Sequence, residues 1–191
     1  MSYYKEEQYI PQVNENDEII GQVERWQAHR EGILHRGYTI ALIYEDTVIC
    51  QHRKHPVFGG FLDLTASSHQ IYEDNTLMSI HESINRCLLR EWGLIPGAIT
   101  SEPKLIGKVM YQSTHGEFIE HEVCHLYASR LRSIPLFDPE YAYGISLIPI
   151  EEMIDPKKNA LLRGLAPWVT PMIEEGLLTK LEPFSLLDPL D

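Results

Sequence analysis

The sequence predicts one domain of the mixed α/β class, in which a β-rich core is accompanied by one central helix and a C-terminal helix; an α+β arrangement of the same elements stays open. Three observations predict it. The length of 191 residues suits a single domain, 1–191, with a substantial core. Apolar stretches of strand length recur along the chain, and the strongest helical periodicity falls at residues 76–92.

The first third of the chain is predicted to supply a lead-in and strands. Residues 1–10 are expected to be a flexible lead-in, and residues 12–21 a strand interrupted by a polar turn at 14–17. Residues 38–51 predict a β-hairpin, because two apolar stretches flank a turn at Glu45 and Asp46. A glycine pair at 59–60 then indicates a break before a short strand near 61–66.

Residues 76–92 form the most strongly predicted helix. Four apolar residues recur along it at helical spacing: Leu77, Ile80, Ile84 and Leu88. Asn75 or Thr76 can cap its start, and Gly93 stands where a C-terminal capping glycine belongs, with Pro96 just beyond. This segment is therefore expected to be the central helix.

The remainder of the chain is predicted to complete the sheet and to end in helices. Strands are expected at three places: 104–111, 119–129 and 143–149. A short helix is expected at 150–154 and a longer one around 158–178, with Trp168 beside Pro167 at the start of its last segment.

Composition and charge exclude several classes of function. The formal net charge of -12 argues against non-specific binding of nucleic acid, which requires a cationic surface, but it leaves room for a small anionic substrate in a local basic pocket. Three widely spaced cysteines, no signal peptide and no apolar stretch of membrane-spanning length predict a soluble cytoplasmic protein without a membrane partner. The sequence leaves monomer and homodimer open.

The most informative stretch is 117–125, which contains Glu120 and Glu122 within a predicted strand. Strand geometry places both carboxylates on one face, where like charges repel unless a cation lies between them. Three isolated histidines could complete such a site: His29, His35 and His69. Three imidazoles and two carboxylates suit a divalent ion such as Zn²⁺, Mn²⁺ or Mg²⁺, although an ordinary surface position is the commoner fate of any single histidine.

Two further features suggest binding of a charged ligand. Glu91 lies at the C-terminal end of the predicted helix, where a carboxylate is electrostatically unfavourable, so it is interpreted either as a metal ligand or as incidental. The basic stretch 52–55 follows the predicted hairpin and could hold a phosphate group or be a solvated loop.

The central helix and its flanks resemble the Nudix motif, whose box reads G-x5-E-x7-R-E-U-x-E-E-x-G-U, with U an aliphatic residue. Five positions fit this pattern: Arg86, Leu88, Glu91, Gly93 and Leu94. Four positions depart from it: Tyr72, Met78, Cys87 and Arg90. In standard Nudix hydrolases the box glutamates hold Mg²⁺ and activate water. The resemblance implies a Nudix-like α/β/α sandwich with a mixed β-sheet and a degenerate Nudix helix.

From about residue 12 to 175 the chain resembles one branch of this superfamily, the type I isopentenyl diphosphate isomerases. That family has a truncated box, two histidines before the first core strand, a Cys-Gly-His or Cys-Ser-His before the helix, a Glu-x-Glu-Val-Cys run and a late Pro-Trp. The corresponding features occur here in the same order: His29 and His35, Ser67-Ser68-His69, Glu120-His121-Glu122-Val123-Cys124, and Pro167-Trp168.

The resemblance implies roles for these residues. It implies a first metal site made of His29, His35, His69, Glu120 and Glu122. It also implies that Glu91 binds Mg²⁺ held with a small diphosphate substrate, and that Arg25, Arg53 and Lys54 contact the diphosphate oxygens. The second arginine of the family's helix is Cys87 here, which weakens the anion site.

The chemistry implied is isomerisation of an alkene through a tertiary carbocation. Trp168 would present a π face to the cation, and Glu122, aided by Tyr111, would handle one proton. The family's cysteine, which handles the other proton, is Ser67 here, and an alcohol is a far weaker acid than a thiol of pKa about 8.5.

Two other functions stay open. A Nudix pyrophosphohydrolase acting on a nucleoside or prenyl diphosphate would use Glu91, Glu120 and Glu122 with Mg²⁺. A catalytically weakened domain that only binds a diphosphate is favoured by Ser67 and Cys87. The complete histidine and glutamate set argues against the second of these, because buried unpaired carboxylates are costly without a metal.

Overall fold

A computed structural model describes residues 3–155 and 157–184. Within this part of the chain, nine of eleven strands join one mixed sheet, and the other two form a small hairpin. The strands are β1 (Tyr9–Val13), β2 (Ile19–Glu24), β3 (His35–Tyr44), β4 (Thr47–Arg53), β5 (Leu62–Asp63), β6 (Ala66–Ser68), β7 (Tyr72–Glu73), β8 (Thr76–Leu77), β9 (Lys104–His115), β10 (Phe118–Arg130) and β11 (Ala142–Pro149).

Four α-helices and three 3-10 helices accompany the sheet within the described residues. The α-helices are α1 (Arg25–Glu31), α2 (Ile80–Trp92), α3 (Ile150–Met153) and α4 (Val169–Glu174). The 3-10 helices span Tyr3–Lys5, Ala160–Gly164 and Leu177–Phe184. No helix in the described ranges is long and apolar enough to cross a membrane.

Strand β3 is the centre of the sheet. It pairs in parallel with β10 and antiparallel with β1, β4 and β6. Beyond these, β9 pairs with β10, and β11 and β5 pair with β4. One parallel pair among antiparallel neighbours makes the sheet mixed, as the sequence predicts.

Two buried cores cover the opposite faces of this sheet. Successive residues of β3 alternate between them, because side chains alternate along a strand: Ile40 and Leu42 pack with α2, whereas Ala41 and Ile43 pack with the C-terminal helices. Helical segments thus lie on both faces. This arrangement confirms the predicted α/β/α sandwich.

The predicted strands and the 38–51 hairpin are confirmed, with shifts at their ends. The hairpin turn falls at Glu45, in the left-handed conformation at φ 54°, and Asp46. The helix at 150–154 is confirmed as α3. The short strand expected near 61–66 is divided into β5 and β6.

The central helix begins later than the sequence predicts. Residues 72–77 form the β7–β8 hairpin, and Ser79 caps the helix by accepting a hydrogen bond from the Glu82 amide. Asn75 and Thr76 are therefore turn and strand residues rather than caps. The end of the helix is as predicted, because Gly93 adopts φ 60° and its amide bonds back to the last turn.

The long helix predicted at 158–178 is wrong. A 3-10 helix at 160–164 and the short helix α4 replace it, separated by Pro167. Proline has no amide hydrogen and disfavours helical geometry in the residue before it, so a continuous helix cannot pass this point. Trp168 instead takes the N-cap position of α4.

The N-terminal region also differs from the prediction. The flexible lead-in expected over 1–10 is folded from Tyr3 onward, with Gln8 and Ile10 buried and β1 starting at Tyr9. Helix α1 is absent from the sequence prediction. Glu24 caps it by accepting hydrogen bonds from the amides of Trp26 and Gln27.

Candidate metal centre and active site

The register of the central strands brings the metal-ligand candidates together. In the parallel pair of β3 and β10, Glu122 lies opposite His35. Strand β6 pairs with the other edge of β3 and ends at Ser68, so His69 emerges beside the same strand. Helix α1 packs over β10 and carries His29. Residues that lie far apart in the sequence therefore converge on one end of β3.

The three imidazoles form a compact cluster. Their ring centroids are 4.8 Å apart for His29 and His35, 5.3 Å for His29 and His69, and 5.1 Å for His35 and His69. With Glu122 they offer four ligand atoms that lie within 4.8 Å of one another. Glu120 lies beside this group without being one of its four members: its Oε1 lies 3.3 Å from His29 Nε2 and its Oε2 4.0 Å from His35 Nε2.

The ring nitrogens are oriented for ligation. His29 Nδ1 lies 2.6 Å from the Arg25 carbonyl oxygen, and His35 Nδ1 lies 2.8 Å from that of Ile33. A carbonyl oxygen can only accept, so each Nδ1 carries a hydrogen, and Nε2 is the ring atom of each histidine that faces the cluster. His121, between the two glutamates, points instead toward the Gly32 carbonyl.

Two buried atoms of the cluster indicate that a cation fits here. His35 Nε2 and Glu120 Oε2 have no hydrogen-bond partner among the described residues, although His35 Nε2 lies 3.3 Å from Glu122 Oε1. Both glutamates are about 94% buried, at 6% exposure each. His69 Nε2, by contrast, lies 2.7 Å from Glu122 Oε1. Converging nitrogen and oxygen donors, two of them left without a partner in the described ranges, suit a divalent metal ion, whereas buried carboxylates without one are costly.

The pKa shifts of the cluster residues differ in direction. Burial acts to lower the pKa of His29, but the neighbouring Glu120 carboxylate outweighs it and raises the pKa to about 9. Burial dominates at His69 and lowers its pKa to about 4. For Glu122, burial acts to raise the pKa, but the nearby His35 and His69 hold it well below its usual range. Glu122 is therefore a carboxylate.

Tyr111 and Trp168 lie next to the cluster. Tyr111 is directly opposite Glu122 in the β9–β10 pair, and its hydroxyl donates to Glu122 Oε2 at 2.8 Å. Burial and the Glu122 charge raise the pKa of Tyr111 well above its usual value, so the phenol keeps its proton. The Trp168 ring centroid lies 6.0 Å from that of Tyr111.

Ser67 lies on β6, opposite Thr39 of β3. Its Oγ is buried and has no hydrogen bond of good geometry within the described residues. It faces the same cavity as Tyr111 and Glu122. The structure therefore brings together the four residues that the sequence proposes for catalysis: Ser67, Tyr111, Glu122 and Trp168.

The cavity is strongly charged. Its walls include the metal-ligand candidates His29, His69, Glu120 and Glu122, and the guanidinium groups of Arg25, Arg53 and Arg90. Each of these arginines has a buried Nε without a hydrogen-bond partner in the described part of the chain. A metal cluster facing several cations suits a ligand that carries concentrated negative charge.

Of the three predicted substrate-binding residues, Arg25 and Arg53 line the cavity and Lys54 does not. Arg25 is 4% exposed, and its NH1 donates to Gln8 Oε1 at 2.6 Å. Arg53 is 5% exposed, and its NH1 donates to Asp63 Oδ2 at 2.8 Å. Lys54 is instead exposed, donates to the Pro139 carbonyl at 2.8 Å, and is not one of the described residues that line the cavity. The structure does not bring Lys54 to the site.

Glu91 lines the cavity but lies outside the group of converging metal ligands. Gln51 Nε2 donates to its Oε2 at 3.2 Å, and Arg90 NH2 donates to its Oε1 at 2.8 Å. Arg90 therefore compensates the carboxylate at the C-terminal end of α2. Glu91 keeps access to the cavity.

Sequence reasoning missed several residues of the cavity wall, among them Tyr3, Tyr4 and Arg90. Tyr3 and Tyr4 belong to the supposed lead-in, yet the Arg90 guanidinium lies 3.7 Å from the Tyr3 ring centroid, and Trp26 Nε1 donates to the Tyr4 carbonyl at 3.0 Å. Arg90 itself was visible only as a departure from the Nudix box. An aromatic pair so near the start of an otherwise polar segment is the signal that could have indicated burial.

Comparison with known proteins agrees with this architecture. The chain is 30% identical over 144 residues to an isopentenyl-diphosphate Delta-isomerase of Pectobacterium atrosepticum, which covers 74% of this chain and 76% of that protein. It is 25% identical over 147 residues to an isopentenyl-diphosphate Delta-isomerase of Serratia proteamaculans, with coverages of 75% and 77%. No protein-family model matches the chain.

Solved structures show the same fold. DR0079 from Deinococcus radiodurans superposes with a TM-score of 0.62 at 18% identity, covering 87% of this chain and 98% of that one. The Nudix hydrolase RenU from M. smegmatis gives a TM-score of 0.52 at 13% identity, with coverages of 94% and 98%. On the strength of the sequence relatives, the chain belongs to the isopentenyl-diphosphate Delta-isomerase family, and it has the Nudix fold.

Proposed function

We propose that this protein is a divalent-metal-dependent enzyme that interconverts isopentenyl and dimethylallyl diphosphate. The observation that carries the proposal is the convergence of three imidazoles and two carboxylates beside a protonated phenol, in a cavity that also presents arginines. Family membership supports the same reaction, because the relatives in Pectobacterium and Serratia carry this name.

The metal would be held by His29, His35, His69, Glu120 and Glu122. When bound, a divalent ion supplies positive charge that holds both carboxylates in place and orients the ligand. Zn²⁺, Mn²⁺ and Mg²⁺ are all compatible with mixed nitrogen and oxygen donors. Glu91 would take part in a second site for Mg²⁺ brought with the diphosphate.

The diphosphate is assigned to the arginine side of the cavity. Arg25 and Arg53 keep buried Nε–H groups without partners in the described residues, and such donors form strong charge-assisted hydrogen bonds with phosphate oxygens. Arg90 is added to this set because it lines the cavity with them. Lys54 is not part of it.

The hydrocarbon end is assigned to the side with Trp168, Tyr111, Glu122 and Ser67. One proton is added to the terminal alkene carbon and another is removed from the carbon next to the new tertiary cation, so that the substrate and the product have the same composition. Tyr111 and Glu122 share a hydrogen bond of 2.8 Å and can pass one proton between them. Ser67 would handle the other, and we expect slow turnover because its hydroxyl is a weak acid.

A second candidate, pyrophosphohydrolysis of a small prenyl or nucleoside diphosphate, is favoured by one observation. The Arg53 guanidinium lies 4.8 Å from the Trp168 ring centroid, so a cation of the protein already occupies one face of the ring proposed to stabilise the carbocation. Together with Ser67, this weakens the case for fast isomerisation. A domain that binds the diphosphate without turnover is the third outcome that an assay must separate.

The test is incubation of the metal-loaded protein with isopentenyl diphosphate, followed by proton and phosphorus NMR. The proposal predicts that dimethylallyl diphosphate accumulates with no release of inorganic phosphate. Release of phosphate from isopentenyl or nucleoside diphosphates would favour hydrolysis. Absence of both products, with binding of the substrate retained, would reduce the protein to a diphosphate-binding domain.

A pair of tyrosine variants makes the test specific to the site. Tyr111→Phe removes the hydroxyl that bonds to Glu122 and is expected to lower the turnover rate by about 10²- to 10⁴-fold. Tyr127→Phe is the matched control, because Tyr127 is also buried in the sheet but does not line the cavity among the described residues. Equal losses in both variants would contradict the role of Tyr111.

A further inference from the structure

Asp63 is a fully buried carboxylate that connects two walls of the cavity. Its Oδ1 accepts a hydrogen bond from Trp168 Nε1 at 2.7 Å and another from the Leu64 amide at 2.8 Å. Its Oδ2 accepts from Arg53 NH1 at 2.8 Å. Asp63 has no exposed surface and does not itself line the cavity within the described ranges.

The two side chains that donate well-formed hydrogen bonds to Asp63 both face the proposed substrate. Burial raises the pKa of Asp63, and its neighbours Arg53, Ser67 and Trp168 act to lower it. Arg53 and Trp168 line the cavity, and the guanidinium lies 4.8 Å from the indole ring centroid. A single carboxylate therefore fixes a cation and an aromatic ring in a set mutual arrangement. Because a guanidinium and an indole N–H are both directional donors, the carboxylate determines the orientation of each.

A purely stabilising function does not account for this arrangement. Replacing a buried ion pair by apolar residues of similar volume is often neutral or stabilising, so a buried pair is weak evidence for a role in stability. Asp63 also places a negative charge next to one of the arginines on the diphosphate side, which reduces the attraction of the site for anions.

We propose that Asp63 is a positioning residue, which orients the Trp168 ring toward the substrate and restrains the charge and the position of Arg53. The effect of Asp63 on turnover rests on the proposed function, whereas its effect on the orientation of Trp168 and Arg53 does not. Removal of the negative charge should leave Arg53 more attractive to anions but free to move, and should release the indole from its fixed orientation.

The orientation of Trp168 by Asp63 can be tested with the indole N–H signals in a proton–nitrogen NMR spectrum. The three tryptophans each donate to a different acceptor: Trp168 to the Asp63 carboxylate, Trp26 to the Tyr4 carbonyl and Trp92 to the Thr65 carbonyl. A charged acceptor gives the stronger hydrogen bond, so Asp63→Asn should move the Trp168 proton signal upfield and leave the other two in place. Trp168→Phe assigns the signal. An unmoved Trp168 signal in Asp63→Asn would overturn the proposal.

The functional part is read from binding of inorganic pyrophosphate and from turnover. Asp63→Asn should bind pyrophosphate about tenfold more tightly, because one opposing charge is removed, while kcat falls about tenfold and KM does not rise. Thr65→Val is the control, since it removes a buried hydroxyl from the same segment without contacting Arg53 or Trp168. A rise in KM with kcat unchanged, or equal effects in both variants, would contradict the positioning role.

A second pair of variants covers the case in which Asp63→Asn does not fold, because Arg53 would then be a buried unpaired cation. Arg53→Gln alone keeps the carboxylate and should keep the Trp168 signal downfield. Arg53→Gln combined with Asp63→Asn should move the Trp168 signal upfield. If the Trp168 signal has the same position in Arg53→Gln and in the double variant, the proposal is overturned. Failure of the wild type to bind pyrophosphate or to turn over would count against the proposed function only, since the indole signals would still decide the role of Asp63.

Discussion

The carboxylate of Glu122 occupies the space that a side chain at Gly37 would need. A Cβ atom on Gly37 would lie 2.3 Å from Glu122 Oε1 and 2.7 Å from its Oε2. Gly37 is in the middle of β3, and its backbone conformation does not require glycine, so the reason for glycine here is room. The central strand thus leaves a recess that holds the carboxylate between Tyr111, His35 and His69.

Gly37→Ala is therefore expected to displace the Glu122 carboxylate and to weaken metal binding by about 10–100-fold. The matched control is Gly144→Ala in β11, where the nearest atom to a new Cβ is 4.0 Å away. Titration of the metal into both variants, followed by calorimetry, measures the difference. Equal affinity in the two variants would show that Glu122 does not depend on the recess.

Purified protein is expected to hold about one tightly bound divalent ion per chain, as a closed multidentate site implies. His35→Ala should lose it, because His35 Nε2 is buried within the cluster. His121→Ala should retain it, since this neighbour of both glutamates points toward the Gly32 carbonyl. Elemental analysis gives the metal content, and a chelator should lower the melting temperature of the His121→Ala variant more than that of His35→Ala.

Ser67→Cys should raise the isomerase rate, because a thiol of pKa about 8.5 exchanges protons far more readily than an alcohol. Ser67→Ala should lower the rate below that of the wild type, since the Oγ that faces the cavity is lost. Conversion of isopentenyl diphosphate in both variants provides the measurement. If the cysteine and alanine variants have the same rate, Ser67 has no part in proton transfer.

Asp17→Asn is expected to destabilise the protein by about 1–3 kcal/mol at neutral pH. Asp17 connects the β1–β2 turn to the sheet by accepting hydrogen bonds from Arg36, Lys108 and His125 at 2.7–2.9 Å. Asparagine tolerates the positive φ of 66°, so the substitution removes charge without adding strain. Urea unfolding measures the change, with Asp74→Asn as an exposed control that also has a positive φ.

The stability difference between wild type and Asp17→Asn should also depend on pH. Burial acts to raise the pKa of Asp17, but the hydrogen bonds from Lys108, Arg36 and His125 outweigh it and lower the pKa below its ordinary value. A lowered folded pKa contributes stability above the unfolded pKa of about 3.9, and this contribution is lost as the pH falls through the folded pKa. The contribution of the Asp17 charge to the difference in free energy of unfolding between wild type and Asp17→Asn should therefore be fully present at neutral pH and decrease below about pH 4.

Arg25 and Lys54, which the sequence assigns together to diphosphate binding, should behave differently. Arg25→Gln should weaken the binding of inorganic pyrophosphate by about tenfold or more, because a buried guanidinium of the cavity is lost. Lys54→Gln should leave the affinity within about twofold, because its ammonium group is exposed and bonded to the Pro139 carbonyl. Isothermal titration calorimetry separates the two outcomes. A large loss in Lys54→Gln would mean that the loop rearranges when the ligand binds.

The features that sequence reasoning predicted well depend on short-range patterns. The 38–51 hairpin, the end of α2 at Gly93 and the face shared by Glu120 and Glu122 follow from strand alternation and from capping by glycine. The convergence of His29, His35 and His69 required the register of β3, β6 and β10, which a single sequence does not encode locally. The resemblance to a family supplied it instead.

The features that sequence reasoning missed depend on tertiary contacts. The aromatic pair Tyr3-Tyr4 could have indicated burial, but no local pattern indicates that Tyr3 packs on Arg90, eighty-seven positions away. Helix α1 spans only seven residues and owes its start to a glutamate cap at Glu24, which is not a preferred capping residue. Asp63 lay unnoticed in an apolar stretch, because its partners Arg53 and Trp168 come from β4 and from the start of α4.

The packing of the N-terminal residues has a practical consequence for work on this protein. Tyr3 and Tyr4 form part of the cavity wall, and the carbonyls of Tyr3 and Glu6 accept from Arg25 NH2. Changes to Tyr3 or Tyr4, or to the residues that hold them in place, are therefore expected to alter KM even though they lie far from the metal ligands in the sequence. Kinetic comparisons are sound only between preparations that share this segment.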